Sequence, residues 1–254
     1  MPIAMPEIIA HRGASHAWPE NTMAAFNAGL AEGADGLELD VQLSSDGVVM
    51  VFHDEHLGKL GERRARIADR TAAELQALDA GGWFSAQHAG LRVPTLDEVL
   101  TAFAGRTQLC VEIKLTEGAA VDRHRQLCEQ VAAKLNGVDR VSLLSFHDEA
   151  LAWAADAVPA LHCVRNVGGP RELRRLSPGM AGIHALDIGI NRFGLRHKAR
   201  LQAPGLPLHA YTCDSRAQLR RALRLGATRL ITNFPARSRE RVQSLIDDVS
   251  PDGD

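Results

Sequence analysis

His11, Arg12, Glu38, Asp40, His53 and Asp54 crowd into residues 8–54 of a stretch that is otherwise largely apolar. In Gly36-Leu37-Glu38-Leu39-Asp40-Val41 the alternation reads as a strand, with Glu38, Asp40 and Gln42 on one face and Leu37, Leu39 and Val41 on the other. Carboxylates two apart on a strand share a face and repel, so such a pair is stable when a cation or a basic group sits between them. His11-Arg12-Gly13 ends a short buried strand, Ile8-Ile9-Ala10. The link Ser44-Ser45-Asp46-Gly47 is too short for a parallel crossover and allows only an antiparallel hairpin. Folding back about residue 45 sets His53 roughly opposite Glu38, with Asp54 placed to orient the imidazole. Histidines beside paired carboxylates can supply a general acid and a general base near neutral pH.

Such groups need rigid elements to hold them. Asn21-Thr22 caps a helix of about residues 22–32, closed by Gly33. Residues 55–94 carry Gly58, Gly61, Gly81-Gly82 and Pro94, and read as an inserted loop region without a separate core, with one short helix near 72–78. Thr95 to Glu98 is a capping box opening the next helix. Beyond it, strands near 108–113, 141–145, 160–164, 183–188, 207–212 and 229–232 alternate with helices near 121–136, 147–157, 170–176, 195–202, 215–225 and 237–249. With the strands near 8 and 38 this makes eight βα units in one domain spanning residues 1–254. The expected fold is an α/β (β/α)8 TIM-type barrel with a hairpin after strand two and a loop-rich insertion. An open doubly wound sheet is the alternative; no GxGxxG or GxxxxGK[ST] supports a nucleotide-binding version of it.

In such a barrel, polar residues at the carboxyl ends of strands are candidates for function. Strand three ends in Cys110-Val111-Glu112-Ile113-Lys114, with Glu112 and Lys114 facing inward. Glu38, Asp40 and Glu112 together make a hard, oxygen-rich site suited to one divalent cation, Mg2+ or Ca2+. Arg12 and Lys114 add positive charge without an obvious protein partner, and a metal with Arg and Lys is what a reacting phosphoryl group needs. A plain Glu112–Lys114 ion pair is the competing reading. The remaining strand ends carry Ser145-Phe146, Tyr211-Thr212 and Thr232-Asn233-Phe234-Pro235. His16, His147, His162, His184 and His209 lack matching partners and read as structural.

Composition narrows the class. A formal charge of -2 gives no electrostatic footprint for nucleic acid, and the runs at Arg63-Arg64 and Arg171 to Arg175 read as solvated faces. Cys110, Cys128, Cys163 and Cys213 form no CxxC and read as reduced core residues. The amino end lacks a basic, apolar leader, and no apolar run approaches the ~18 residues of a membrane span, so a cytoplasmic location is expected.

The order HRG, PENT, ELD, DG and FHD, then VEIK and TNFP, resembles the glycerophosphodiester phosphodiesterases from about Ile8 to Pro235. The resemblance implies a TIM-type barrel with an insertion after the hairpin. It also implies divalent-metal-dependent hydrolysis of a small-molecule glycerophosphodiester, such as glycerophosphocholine or glycerophosphoethanolamine, to sn-glycerol 3-phosphate and an alcohol. Carried over, Glu38, Asp40 and Glu112 would hold the metal, His11 and His53 would form the acid–base pair, and Arg12 and Lys114 would hold the phosphate. Attack by the substrate's own glycerol 2-hydroxyl, with water opening the cyclic phosphate, is chemically reasonable because the nucleophile is already in place. Where the family often has Trp, then Thr and Asn, this chain has Tyr211-Thr212-Cys213-Asp214, so Tyr211 would keep an aromatic wall while Asp214 would alter the glycerol or headgroup pocket. The alternatives are a lysophospholipase D using Trp83, Phe84 and Leu91 as an apolar contact, a non-catalytic glycerophosphodiester-binding barrel, and a sugar-phosphate isomerase or aldolase.

Overall fold

The computed structural model describes residues 4–116, 118–175 and 182–248. Strand β1 (Glu7–His11) leads to helix α1 (Met23–Ala31), and β2 (Gly36–Leu43) turns into β3 (Val49–Val51). The insertion carries β4 (His56–Leu57), β5 (Glu62–Arg66) and α2 (Ala72–Ala77), and α3 (Leu96–Phe103) follows. Then come β6 (Gln108–Ile113), α4 (Val121–Leu135), β7 (Val141–Ser145), α5 (Asp148–Ala157), β8 (Cys163–Val167) and α6 (Pro170–Leu173). The chain continues with β9 (Ile183–Gly189), α7 (Lys198–Gln202), β10 (Leu208–Tyr211), α8 (Arg216–Leu225), β11 (Ala227–Thr232) and α9 (Pro235–Asp247). The parallel strands run β1-β11-β10-β9-β8-β7-β6-β2, and β1 also pairs with β2, which closes the expected (β/α)8 barrel; β3 hangs antiparallel on β2.

Two apolar layers follow from the strand alternation. Ile9, Cys110, Leu144, Val164, Ala185 and Ile231 fill the barrel interior. Leu37, Leu39, Val41, Val111 and Leu143 face outward and pack with helical residues such as Phe26, Val99, Leu127 and Val131. Because both faces of β2 are covered, all its residues are buried, so Glu38, Asp40 and Gln42 sit in the interior rather than on a solvated face. The four cysteines are buried and free.

The structure corrects the sequence reading in three places. The fifth barrel strand starts at Cys163 rather than near 160, because Leu161 N–H bonds Val158 O and turns the chain after α5. The insertion is not a coreless loop: Leu57, Ile67, Leu75, Ala80 and Val93 pack with Met50 and Phe52 from the hairpin into an apolar cluster of their own. The hairpin register pairs Val41 with Val51 and Gln42 with Met50, which continues to His53 opposite Leu39, one residue away from Glu38. Position 176 of the expected short helix and 249 of the last helix lie outside the described residues.

Gly13 sets the approach of the first strand's end to α1. Its φ is +84°, and a Cβ there would stand 2.4 Å from the carbonyl carbon and oxygen of Ala25. Gly13→Ala is therefore expected to cost about 3 kcal/mol or more in thermal unfolding, left-handed strain and overpacking together. An unchanged melting temperature would show that the turn can relax.

Candidate active site

The strand register brings the sequence candidates together. His11 lies beside Glu38 across β1 and β2, and Asp40 lies beside Glu112 across β2 and β6. Neighbouring strands run about 4.8 Å apart, so these pairs stand side by side at the carboxyl ends of the strands. Arg12 adopts φ +56° directly after β1, an uncommon conformation for a non-glycine residue. Its N–H bonds both Glu38 O at 2.9 Å and Glu38 Oε2 at 3.1 Å, and its carbonyl accepts from Asn21 N–H at 3.0 Å. Surroundings that over-determine a strained residue in this way are typical of functional turns.

Glu38, Asp40 and Glu112 each offer an oxygen within 4.8 Å of the others'. Arg12 and Lys114, without an obvious partner in the sequence apart from the competing Glu112–Lys114 ion pair, are paired here with these carboxylates. Arg12 Nε lies 3.0 Å from Asp40 Oδ2, Lys114 Nζ lies 3.1 Å from Asp40 Oδ1, and Lys114 also bonds Glu112. The reason is proximity: the two cations are the nearest charges that can offset three buried anions. Arg12 Nε and Asp40 Oδ1 are buried yet lie outside hydrogen-bond alignment, so both Asp40 contacts are ionic rather than directed. Burial pushes Asp40 up, but Arg12 and Lys114 outweigh it and hold the carboxyl at about 2. Glu38 is pushed well above its ordinary range by burial and by Asp40 and Glu112. Burial also raises Glu112 despite its bond to Lys114. Three clustered carboxylates, two of them raised by burial and crowding, and a misaligned buried Asp40 oxygen fit a hard divalent cation held by Glu38, Asp40 and Glu112.

The two histidines are held differently. The His11 ring is 18% exposed, with Nε2 3.8 Å from Glu38 Oε2. Its Nδ1 lies 2.7 Å from Asn233 Oδ1. Asn233 Nδ2 donates to Asp214 Oδ2 at 2.7 Å, so Oδ1 must be the acceptor facing His11. His11 therefore carries its proton on Nδ1 and turns a lone pair on Nε2 toward the carboxylates. Burial first, then Arg12, lowers His11 to about 4. His53 Nδ1 instead meets Asp54 Oδ1 at 2.7 Å. Gln42 donates to the carbonyls of Phe52, His53 and Asp54 at 2.9, 3.1 and 3.0 Å, fixing the backbone that carries this histidine.

Several contributors escaped the sequence reading. Asn21, expected only at a helix start, adopts φ +56° and donates to Asp40 Oδ2 at 2.9 Å. Asp214, expected to alter the glycerol or headgroup pocket, is bonded on the His11 side through Asn233. It accepts from Thr232 and from Asn233 N–H at 3.0 and 2.9 Å, and so acts as the buttress behind His11. Asp187 and Asn166, neighbours across β8 and β9, are buried in the barrel with one oxygen each unpaired, and burial drives Asp187 well above its usual range. A polar residue in an inward register position was the only available signal for it. Tyr211 stands edge-on to Phe146, with ring centroids 6.0 Å apart, at the end of β10. A separate cavity of about 440 Å3 lies at the opposite end of the strands, between Gln108, Asn136, His162 and Arg229, and shares no residue with this cluster. No helix among the described residues is long and apolar enough to cross a membrane.

The profile of the Glycerophosphoryl diester phosphodiesterase family matches residues 11–237. A glycerophosphodiester phosphodiesterase of Bacillus altitudinis is 32% identical over 251 residues, covering 92% of this chain and 97% of the relative. One of Bacillus subtilis (strain 168) is 30% identical over 251 residues, covering 89% of this chain and 83% of the relative. Among solved structures, an Oleispira antarctica phosphodiesterase in complex with the product sn-glycerol-3-phosphate superposes with a TM-score of 0.82 at 27% identity, over 96% of this chain and 97% of that one.

Proposed function

The chain belongs to the glycerophosphoryl diester phosphodiesterase family, and from that premise we propose that its barrel mouth hydrolyses small glycerophosphodiesters, such as glycerophosphocholine or glycerophosphoethanolamine, to sn-glycerol 3-phosphate and the free alcohol. The observation that carries the reading is a three-carboxylate cluster with His11 3.8 Å from Glu38, together with a second histidine, His53, held by an unlike partner. A divalent cation on Glu38, Asp40 and Glu112, Mg2+ or Ca2+, would act as a Lewis acid on a phosphoryl oxygen.

The chain's own groups divide the remaining work. His11, with Nδ1–H given to a neutral amide oxygen, presents Nε2 as the base that takes the proton of the glycerol 2-hydroxyl as that oxygen bonds to phosphorus. His53 has an anion on its far nitrogen, which compensates a ring that must carry positive charge. It is the group that gives its Nε2 proton to the departing alcohol oxygen. Water then opens the cyclic phosphate: His53 takes the water's proton and His11 returns one to the 2-oxygen, restoring both rings. Arg12 and Lys114 already face the cage and would turn part of their charge to the phosphoryl oxygens.

The test is sn-glycerol 3-phosphate release from a panel of glycerophosphodiesters after thorough chelation, with Mg2+ or Ca2+ added back. Activity is expected to vanish with EDTA and return with a divalent ion. Full activity after chelation would contradict the cage. A second reading, lysophospholipase D, has one observation in its favour: Trp18 and Trp83 are 36% and 41% exposed, and Trp83 lines a small hollow with His53 and Lys59. Faster choline release from lysophosphatidylcholine than from glycerophosphocholine would favour it.

A further inference from the structure

The insertion puts one side chain into the charged mouth. Lys59 sits on the turn Gly58–Leu60, directly after Leu57, which is buried in the insertion's apolar cluster. Its ammonium lies 2.8 Å from Glu20 Oε1, 2.9 Å from Asp54 Oδ2 and 5.2 Å from the centre of the Trp83 ring. Each carboxylate leads on to a proposed site residue. Asp54 holds His53 Nδ1 through its other oxygen, and Glu20 Oε1 accepts from Arg12 at 3.2 Å.

The two arms are not equivalent. Arg12 has a second anionic partner in Asp40, so it stays anchored without Glu20. Among the described residues the His53 ring has a single side-chain partner, Asp54, and the far oxygen of Asp54 has Lys59. A carboxylate gripped at one oxygen only is free to rotate, and a ring bonded to it rotates too. Asp54 lies well below the usual carboxylate range, through its bond to His53 first and to Lys59 next, as expected of an anion clamped from two sides.

We propose that Lys59 is a positioning residue: it fixes Asp54, and Asp54 fixes the His53 ring for proton transfer, so that the insertion sets catalytic geometry for site residues carried by the barrel and its hairpin. The proposal rests on His53 acting in the proposed hydrolysis. It also gives the insertion's small core a role, since that cluster anchors the backbone from which Lys59 reaches.

Steady-state kinetics with glycerophosphocholine test it, using Lys59→Met, Lys59→Arg, Asp54→Ala, the Lys59→Met/Asp54→Ala double variant and His53→Ala. Lys59→Met is expected to lower kcat about tenfold, the scale of one lost hydrogen bond to a charged group, with KM within about twofold. Lys59→Arg should recover most of the loss. The double variant should be no slower than Asp54→Ala alone, because Lys59 acts through Asp54. Lys59→Gln repeats the measurement should Met alter the melting temperature. A wild-type kcat in both neutral variants, a rise in KM alone, or an equal further loss in the Asp54→Ala background would overturn the proposal. Wild-type turnover in His53→Ala would instead overturn the underlying assignment of His53, and is read independently of Lys59.

Discussion

His11→Ala is expected to slow glycerophosphocholine hydrolysis by about 10^3-fold at saturating substrate, the middle of the range for a positioned general acid or base. Its partners make the expectation specific. Asn233 and Asp214 fix the ring so that Nε2 is the free nitrogen, and β1 and β2 place that nitrogen near Glu38. His53→Ala should cause a similar loss with choline or ethanolamine as the leaving alcohol. In single-turnover release of p-nitrophenol, which reads the first step alone, its effect should shrink, because that oxygen departs without needing a proton, whereas the His11→Ala loss should persist. Equal losses for both variants on both substrates would remove the assignment of base and acid. Undiminished turnover in the doubly substituted enzyme would leave a binding barrel as the better account.

Glu38→Gln should separate stability from activity. Glu38 carries a carboxyl that burial and its two acidic neighbours push well above its ordinary range. A carboxyl whose folded value lies above the unfolded one costs stability at every pH above the unfolded value of 4.5. The cost is absent below it, where both states are protonated. Glutamine keeps the oxygen that accepts Arg12 N–H and removes the charge. In EDTA at neutral pH the variant is therefore expected to melt a few degrees higher, at about 2–4 °C per kcal/mol for a chain of this size. The gain should disappear by about pH 4. Added Mg2+ or Ca2+ should raise the melting temperature of the parent and not of the variant, and activity should fall by at least about 10^2-fold. A variant that melts lower in EDTA and still responds to the ion would make Glu38 a structural partner of Arg12 alone.

The sequence by itself determined the periodicities. Alternation in Gly36–Val41 put Glu38 and Asp40 on one face, and the spacing of eight βα units gave the barrel, because a buried parallel strand and its crossover helix leave local apolar signatures. It also marked which charged residues end strands. Register was beyond it. Folding about residue 45 set His53 opposite Glu38, yet the ladder continues to put His53 opposite Leu39 instead, while the expected contact with Asp54 is present. One residue is enough to change which side chains face one another, and turn composition alone does not resolve it.

Partners distant in the chain were equally hidden. Asn21 on Asp40, Asp214 behind Asn233, and Lys59 on Asp54 and Glu20 are contacts whose chemistry is ordinary and whose separation in sequence carries no period. The pairing of Arg12 and Lys114 with Asp40 was hidden for the same reason, whereas the Glu112–Lys114 pair was legible as a competing reading. Three carboxylates become a single electrostatic object only when closure of β1 on β2 and pairing of β2 with β6 bring them into one low-dielectric space. The residue types needed for the chemistry were written locally in the chain; their mutual distances, and so their protonation and their partners, came from the closed barrel.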